Sequence, residues 1–306
     1  MSNARGQAID KTHLSIDTAE ERGFIHRDYL AHCLRWSHAL KLLFKRGLYR
    51  RAVILDIGCG KEMPFAKLLY SNRMFPPRYI GIDVNKLDLP EMLNKESIID
   101  KISIFEKTDF SKDVFLLDEK SIFVTGKDKK RLPRPNFVTC FEVIEHVEPL
   151  HAIDILKKVY KIMPSKTTFL LSTPNFNGKA AANHVNEMTF EVLKNVLLKI
   201  GFDIINVFGT FASQTEIYPV MHQEEALVYN ALREYYDSNL LSIMLAPLHP
   251  RQSRNCLWEL SKNNPEQNIL RSVYMPYDED LDTIISWDEI PKPWSSSEKA
   301  NDFALI

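Results

Sequence analysis

The chain has 306 residues, 45% of them hydrophobic and 26% charged, with a formal net charge of −1. That length buries a sizeable core, and the composition excludes a disordered or fibrous class. The near-neutral balance supplies no global attraction to nucleic acid or to an anionic membrane, although a local patch could still provide one.

Residues 1–22 are polar, acidic and weakly periodic, which predicts a flexible N-terminus. They lack the apolar core of a signal peptide. The folded domain is expected over 23–264. Its first element is a helix over Tyr29–Leu48, with Leu30, Leu34, Ala39, Leu42 and Leu43 at helical spacing and Gly47 as its stop. "AVILDIGCG" and "RYIGIDVN" are β-branched runs with a helical stretch between them, a βαβ pattern that favours a parallel sheet. "KISIFEKTDF" predicts a third strand ending at Asp109. An irregular, charged insertion over 111–135 follows and includes "KDKKRLPRP". "NFVTCFEVIEHV" is a fourth strand passing into a loop, and "HAIDILKKVYKIM" an amphipathic helix stopped by Pro164.

"TTFLLSTPN" is a fifth strand, "TFEVLKNVLLKIGF" a helix with a glycine stop, and "DIINVFGTFA" a sixth strand. "HQEEALVYNALREYYDSNLLSIML" predicts one helical addition within about 213–250. "RNCLWELSK" is the final strand. Residues 265–306 are rich in Asp, Glu, Pro and Ser and read as a tail that is either disordered or packed as an extended strap, with Trp287 and Trp294 anchoring it to the core rather than stacking on bases. The cysteines, Cys33, Cys59, Cys140 and Cys256, form no CxxC pair, so spacing indicates neither zinc knuckle nor disulfide framework. No apolar run reaches spanning length. A reducing, cytoplasmic setting without a membrane partner is the expectation.

In a parallel sheet of this kind, ligands bind at the carboxyl ends of the strands. Gly58 and Gly60 let the chain turn tightly after the first strand. The dinucleotide pattern GxGxxG needs a third glycine where Met63 stands, and a P-loop needs GKS or GKT, so the turn is not built for pyrophosphate. A carboxylate at Asp56 repels phosphate and suits a cationic or hydrogen-donating group. Asp83, at the end of the second strand, suits ribose hydroxyls. Asp109 suits an adenine amino group, with Phe110 lining the base. The site therefore reads as one for a nucleoside without phosphate.

With these motifs in order, the chain resembles the class I S-adenosylmethionine-dependent methyltransferases. "LDIGCG", "GIDVN" and "TDF" match their first three motifs. "FEVIEHV" matches the fourth-strand signature of the small-molecule and nucleoside O-methyltransferases, and "STPN" with "HVNEMTFEVLKNVLLKIGF" the segment that follows. The resemblance covers about 50–210 and the last strand. It implies a Rossmann-like α/β fold with a seven-stranded, mostly parallel sheet and helices on both faces. It implies S-adenosylmethionine as cofactor, with Asp56, Gly58 and Gly60 at its methionine end, Asp83 at the ribose, and Asp109 and Phe110 at the adenine. Cys59, Val84, Phe141 and Glu142 complete the expected contacts. The family often carries glycine at position 62, where this chain has Glu62, and Pro64 is expected to begin the next helix.

Glu142, Glu145, His146 and His184 are the reaction-side residues. In one reading Glu142 and His146 only organise the cofactor, and His146 or His184 serves as general base. In the other, two carboxylates and two imidazoles hold a divalent metal. A similar set occurs in the small-RNA 2′-O-methyltransferases and in some quinone-biosynthesis O-methyltransferases, where the metal holds the acceptor hydroxyls. The [DNS]PP[YFW] signature of amino-group DNA methyltransferases is absent, as is the Pro-Cys nucleophile of cytosine-C5 enzymes. Transfer to oxygen, or to nitrogen of a small molecule or nucleoside, remains. The helix carrying His32, Arg35, Trp36 and His38 either packs on the core or touches cofactor and acceptor. Metal-assisted RNA 2′-O-methylation, with nucleic acid as partner through "KDKKRLPRP", is one alternative; a non-catalytic cofactor-binding or scaffold module is another.

Overall fold

The computed structural model describes residues 27–262, apart from 46, 111–113, 119–120, 125–130, 179 and 237. The expected flexible N-terminus and the tail with Trp287 and Trp294 lie outside the described residues, as do residues 127–130 of the basic run "KDKKRLPRP". The first helix, α1 (Arg27–Lys45), is followed by left-handed Gly47, whose N–H returns to the Phe44 carbonyl at 3.0 Å. The strands β1 (Val53–Ile57), β2 (Arg78–Ile82) and β3 (Ile102–Phe105) alternate with the helices α2 (Pro64–Ser71) and α3 (Glu96–Ile99). Pro64 does begin α2, where its missing N–H costs nothing.

β1, β2 and β3 pair in parallel, and β7 (Phe137–Phe141) then pairs parallel to the other side of β1. Beyond it stand β8 (Thr168–Pro174), then β10 (Asn255–Ser261), then β9 (Asp203–Phe211). The seven-stranded order is thus β3-β2-β1-β7-β8-β10-β9, with only β10 running against its neighbours. Strand order reverses between β1 and β7, so the crevice above their carboxyl ends is the binding position of this fold.

Alternation along β1 fixes the layers. Leu55 and Ile57 join one core, under α4 (Pro149–Ile162) and α5 (Phe190–Ile200). Ile54 faces the other, with Trp36, Ala39 and Leu43 of α1 and Phe65, Ala66 and Leu69 of α2. Helices cover both faces, and β8 and β10 are buried along their whole length, as central strands of a covered sheet must be. α5 is capped as its sequence suggests: the Thr189 hydroxyl accepts from the Val192 N–H at 3.3 Å, and Gly201 closes it at φ 108°.

Two expectations are corrected, and a third is given in detail. β3 ends at Phe105, not at Asp109. The chain leaves the sheet through left-handed Lys107, and the Lys107 and Thr108 N–H groups bond to Asn85 and Asp83 carbonyls (3.1 and 3.0 Å) in the loop after β2. The 111–135 insertion is not irregular: β4 (Val114–Asp118), β5 (Ser121–Val124) and β6 (Arg131–Pro133) form a three-stranded antiparallel sheet. Two short β-prone runs, "VFLLD" and "SIFV", were masked by the charge-rich segments around them. The 213–250 addition is broken into α6 (Gln214–Ile217), α7 (Gln223–Leu232) and α8 (Ser238–Leu245). After α7 the N–H groups of Tyr235 and Tyr236 both fold back on the Leu232 carbonyl at 2.9 and 3.0 Å, which ends the helix. Among the described residues no helix is long and apolar enough to cross a membrane.

Candidate active site

A cleft of about 470 Å³ opens above the strand ends and brings together every expected cofactor residue: Asp56, Gly58, Cys59, Gly60, Asp83, Val84, Asp109, Phe110, Phe141 and Glu142. Arg35 and Trp36 of α1 also reach it, as do Glu145, His146 and His184. His38 does not: it faces Glu259 of β10 at 3.4 Å and packs on Phe208. The helix therefore both packs and covers the cleft, while the His32 side chain lies outside the described residues.

The floor is the turn after β1. Gly58 and Gly60 are left-handed, with φ 68° and 73°. A Cβ on Gly58 would sit 2.2 Å from Val143 Cγ2, so both backbone and space demand glycine there. The N–H groups of Gly58 and Cys59 donate to the Ile82 carbonyl (2.8 and 3.2 Å), tying the turn to β2. The Gly60 N–H donates to Asp83 Oδ2 at 3.0 Å, and Asp83 Oδ1 accepts from the Asn85 backbone and side chain at 2.8 and 3.0 Å. Glu62 turns outward to Lys67 Nζ at 2.8 Å and leaves the cleft clear. Met63 keeps the left-handed backbone (φ 51°) and buries its whole side chain. That burial offsets a strain of roughly 1 kcal/mol.

Asp56 lies within β1, one residue short of its end. Its carboxylate accepts from the Tyr79 hydroxyl and, at 2.7 Å, from Thr139 Oγ1. Burial, only partly countered by these hydroxyls, pushes its pKa up to about 6. The thiols of Cys59 and Cys140 are likewise raised by burial, which leaves them inert as nucleophiles.

Glu142 directly follows β7 in left-handed conformation, φ 55°. Its Oε1 receives Arg35 at 2.9 Å and Ser172 Oγ at 2.8 Å, and Asn255 Nδ2 reaches both carboxylate oxygens at 3.0 and 2.9 Å. It is thereby held apart from the metal-capable group, which comprises Glu145, His146 and His184 with ligand atoms all within 4.8 Å. The expected set of four comes together as three.

Glu145 is fully buried. Its Oε2 accepts from Thr173 Oγ1 at 3.2 Å, while Oε1 has no hydrogen-bond partner among the described residues. Burial, and then the charge of Glu142, raise its pKa well above the carboxylate range. His146 Nδ1 faces the Asn183 carbonyl at 3.2 Å, and its Nε2 lies 3.9 Å from Glu145 Oε1. His184 Nδ1 bonds Glu187 Oε1 at 2.5 Å, and the two imidazoles meet edge to face with centroids 4.7 Å apart. The backbone sets this meeting: the Val185 and Asn186 N–H groups both donate to the Glu145 carbonyl (2.8 and 3.2 Å).

Glu187 was not foreseen from the sequence, although its spacing of three from His184 in "HVNE" was readable. Neither were its partner Arg254, the Glu142 partners Ser172 and Asn255, or Tyr79 and Thr139 beneath Asp56. All of these meet only through the order of strands.

Comparison with known proteins gives the following. A family model described as "Methyltransferase domain" matches residues 26–207. No curated protein matches the chain in sequence. Among solved structures, a SAM-dependent methyltransferase from Archaeoglobus fulgidus is similar at 18% identity, covering 74% of this chain and 94% of that one, with a TM-score of 0.43. The Burkholderia thailandensis 1,6-didemethyltoxoflavin-N1-methyltransferase, with 1,6-didemethyltoxoflavin and S-adenosylhomocysteine bound, is similar at 14% identity over 86% and 92%, TM-score 0.46. The magnesium protoporphyrin IX methyltransferase of Synechocystis PCC 6803, with S-adenosylhomocysteine bound, is similar at 11% over 85% and 96%, TM-score 0.47.

Gly58→Ala is expected to cost at least about 2 kcal/mol in denaturant unfolding, the sum of overpacking and left-handed strain. Adding Val143→Ala removes the clashing methyl and should recover all but roughly 1 kcal/mol; no recovery would show that the approach of Val143 is not what demands glycine. A second expectation concerns pH. Folded Asp56 keeps its proton to about pH 6, whereas the unfolded chain releases it near 3.8. Between those values the folded state binds more protons, so this group makes stability fall as pH rises, and the loss is complete above the folded pKa. Asp56→Asn should flatten that part of the stability curve, measured by urea unfolding across the window.

Proposed function

The chain belongs to the methyltransferase-domain family, the class I S-adenosylmethionine-dependent methyltransferases, and on that premise we propose that it methylates an oxygen of a small-molecule or nucleoside acceptor. The observation that carries the reading is the pairing of an imidazole with a carboxylate beside the cofactor cleft: His184 Nδ1 on Glu187 at 2.5 Å. The cofactor assignment is supported by the acids and glycines that share one cleft. Gly58 and Gly60 leave room for the methionine end, Asp83 accepts from the ribose hydroxyls, and Asp109 with Phe110 receives the adenine.

Transfer is an in-line displacement. The acceptor oxygen attacks the methyl carbon, the carbon–sulfur bond breaks, and the sulfonium leaves as the neutral thioether S-adenosylhomocysteine. The acceptor's proton passes to an imidazole beside the cleft, acting as general base. His184 Nε2 has no hydrogen-bond partner among the described residues, so it is the base; His146 lies beside it at the same edge of the cleft. Glu142, committed to Arg35, Ser172 and Asn255, shapes the cleft rather than taking the proton.

A second reading is favoured by the buried, unpartnered Glu145 Oε1. An ionised carboxylate without a partner is costly in such a place, and a cation is the natural counterpart. Glu145, His146 and His184 are a donor set fit for a divalent metal. When bound there it would hold acceptor oxygens and acidify a hydroxyl. An RNA 2′-hydroxyl is one acceptor that such a set would suit.

Asp83→Ala is expected to abolish S-adenosylhomocysteine binding in calorimetry while the circular dichroism of the fold is kept; unchanged affinity would contradict the ribose assignment. The activity is tested by transfer of labelled methyl from S-adenosylmethionine into fractionated metabolite, nucleoside and RNA pools, with and without EDTA. Label in an ether of a small acceptor, lost in His184→Ala, is the expected result. Loss of labelling on chelation, restored by added divalent metal, supports the metal reading; indifference to chelation removes it. Label in the RNA pool, falling steeply with salt, moves the acceptor to RNA.

A further inference from the structure

We infer that Glu187, braced by Arg254, is a positioning residue that holds His184 with its proton on Nδ1 and so presents the Nε2 lone pair to the acceptor. The inference rests on the placement of His184 at the reaction side.

The geometry is that of a relay through three side chains. His184 Nδ1 lies 2.5 Å from Glu187 Oε1. An ionised carboxylate can only accept, so the neutral imidazole carries its hydrogen on that nitrogen and keeps its lone pair on the other. The carboxylate cannot swing away. It is buried; Arg254 Nη2 donates to Oε1 at 2.8 Å, and Nη1 makes an ion-pair contact with Oε2 at 2.7 Å without hydrogen-bond geometry. The Ala181 N–H adds a bond to Oε1 at 3.2 Å.

Arg254 is fixed in its turn. It immediately precedes β10; its N–H donates to the Phe211 carbonyl at 2.7 Å, and its carbonyl accepts from the Asn175 N–H at 2.8 Å. Its guanidinium also donates to the Asn175 carbonyl. The antiparallel strand, which lends nothing else to the reaction edge but Asn255, thus aims a histidine one loop away. An arrangement that served only to knit the loop would need the Arg254–Glu187 pair and not the third member.

The consequence is the same for either use of His184. As a base, the imidazole takes the acceptor proton on Nε2 while Glu187 stays bonded to Nδ1–H and steadies the imidazolium. As a metal ligand, Nε2 is the donor atom, and outer carboxylates of this kind orient such histidines.

The test uses the full-length chain labelled with ¹⁵N-histidine, read by long-range proton–nitrogen correlation about a unit and a half above the ordinary imidazole pKa. His184, assigned by its loss in His184→Ala, should show a protonated Nδ1 and an unprotonated Nε2. Glu187→Gln, whose amide can either donate or accept, should give a mixed pattern. Its labelled-methyl transfer, into the fraction that the unaltered protein labels, should fall on the order of tenfold to hundredfold. Calorimetric affinity for S-adenosylhomocysteine should not change. A proton on Nε2 in the unaltered protein overturns the inference, and that spectrum decides the matter alone where Glu187→Gln does not fold. A Glu187→Gln protein with an unchanged spectrum and full transfer also overturns it. Full transfer by His184→Ala instead removes the reaction-side reading, a separate outcome from the Glu187 result.

Discussion

A charge that cannot leave the protein interior has to be matched there, and at the reaction edge of this sheet the match is made by Glu142. Its carboxylate gathers Arg35 from α1, Ser172 from β8 and Asn255 from β10, while its own backbone ends β7. Four elements distant in sequence meet at one acid. Arg35 is almost wholly buried, so removing the acid would strand a cation, and that asymmetry makes the knot hard to undo. Glu142 is committed to Arg35, while Glu145, His146 and His184 cluster beside it at the cleft, and α1 is drawn over the cleft with Trp36 beside it.

The remaining acids show how the kind of partner sets the state of the carboxyl. Asp56 has only hydroxyl partners, and burial wins: its pKa rises to about 6. Glu145 has one hydroxyl, an unpartnered oxygen and a neighbouring acid; burial and then the charge of Glu142 push its pKa well above the usual carboxylate range. Burial pushes Glu187 upward as well, yet hydrogen bonds from His184 and Arg254 outweigh it and hold that carboxyl below its usual range. Three buried acids within one edge therefore occupy three electrostatic situations. The one whose ionised form is favoured is the one bonded to a histidine and an arginine.

The alternation of strands and helices, the mostly parallel sheet and the glycine turn were legible in the sequence because they follow from local pattern. Alternating apolar runs gave the strands, Pro64 and Gly201 the helix limits, and the acids after the strands the cofactor edge. Asp109 was placed correctly at the cleft though not on a strand, since the pattern of "KTDF" does not reveal the left-handed turn at Lys107. The partners of the acids were not legible. Tyr79 reaches Asp56 only because β1 and β2 are in register, and Arg254 reaches Glu187 only because β10 inserts between β8 and β9. Such pairings depend on sheet order, which periodicity does not encode. Of the four residues that one reading grouped around a metal, Glu145, His146 and His184 lie together while Glu142 pairs with Arg35, which nothing near Glu142 in sequence announces.

Strain is placed where it keeps the strand ends accessible. Three of the five non-glycine residues with positive φ among the described residues, Met63, Lys107 and Glu142, lie in the loops at this edge, alongside Gly58 and Gly60. A left-handed residue turns the chain sharply away from the strand it has just left. Each such residue costs of order 1 kcal/mol or more, and each is held by bonds already described. Met63 is anchored by its buried side chain, Lys107 by the loop after β2, and Glu142 by Arg35 and its companions. The positions that would be cheapest to relax are thus the ones most firmly tied, and the open cleft above β1 and β7 is the consequence.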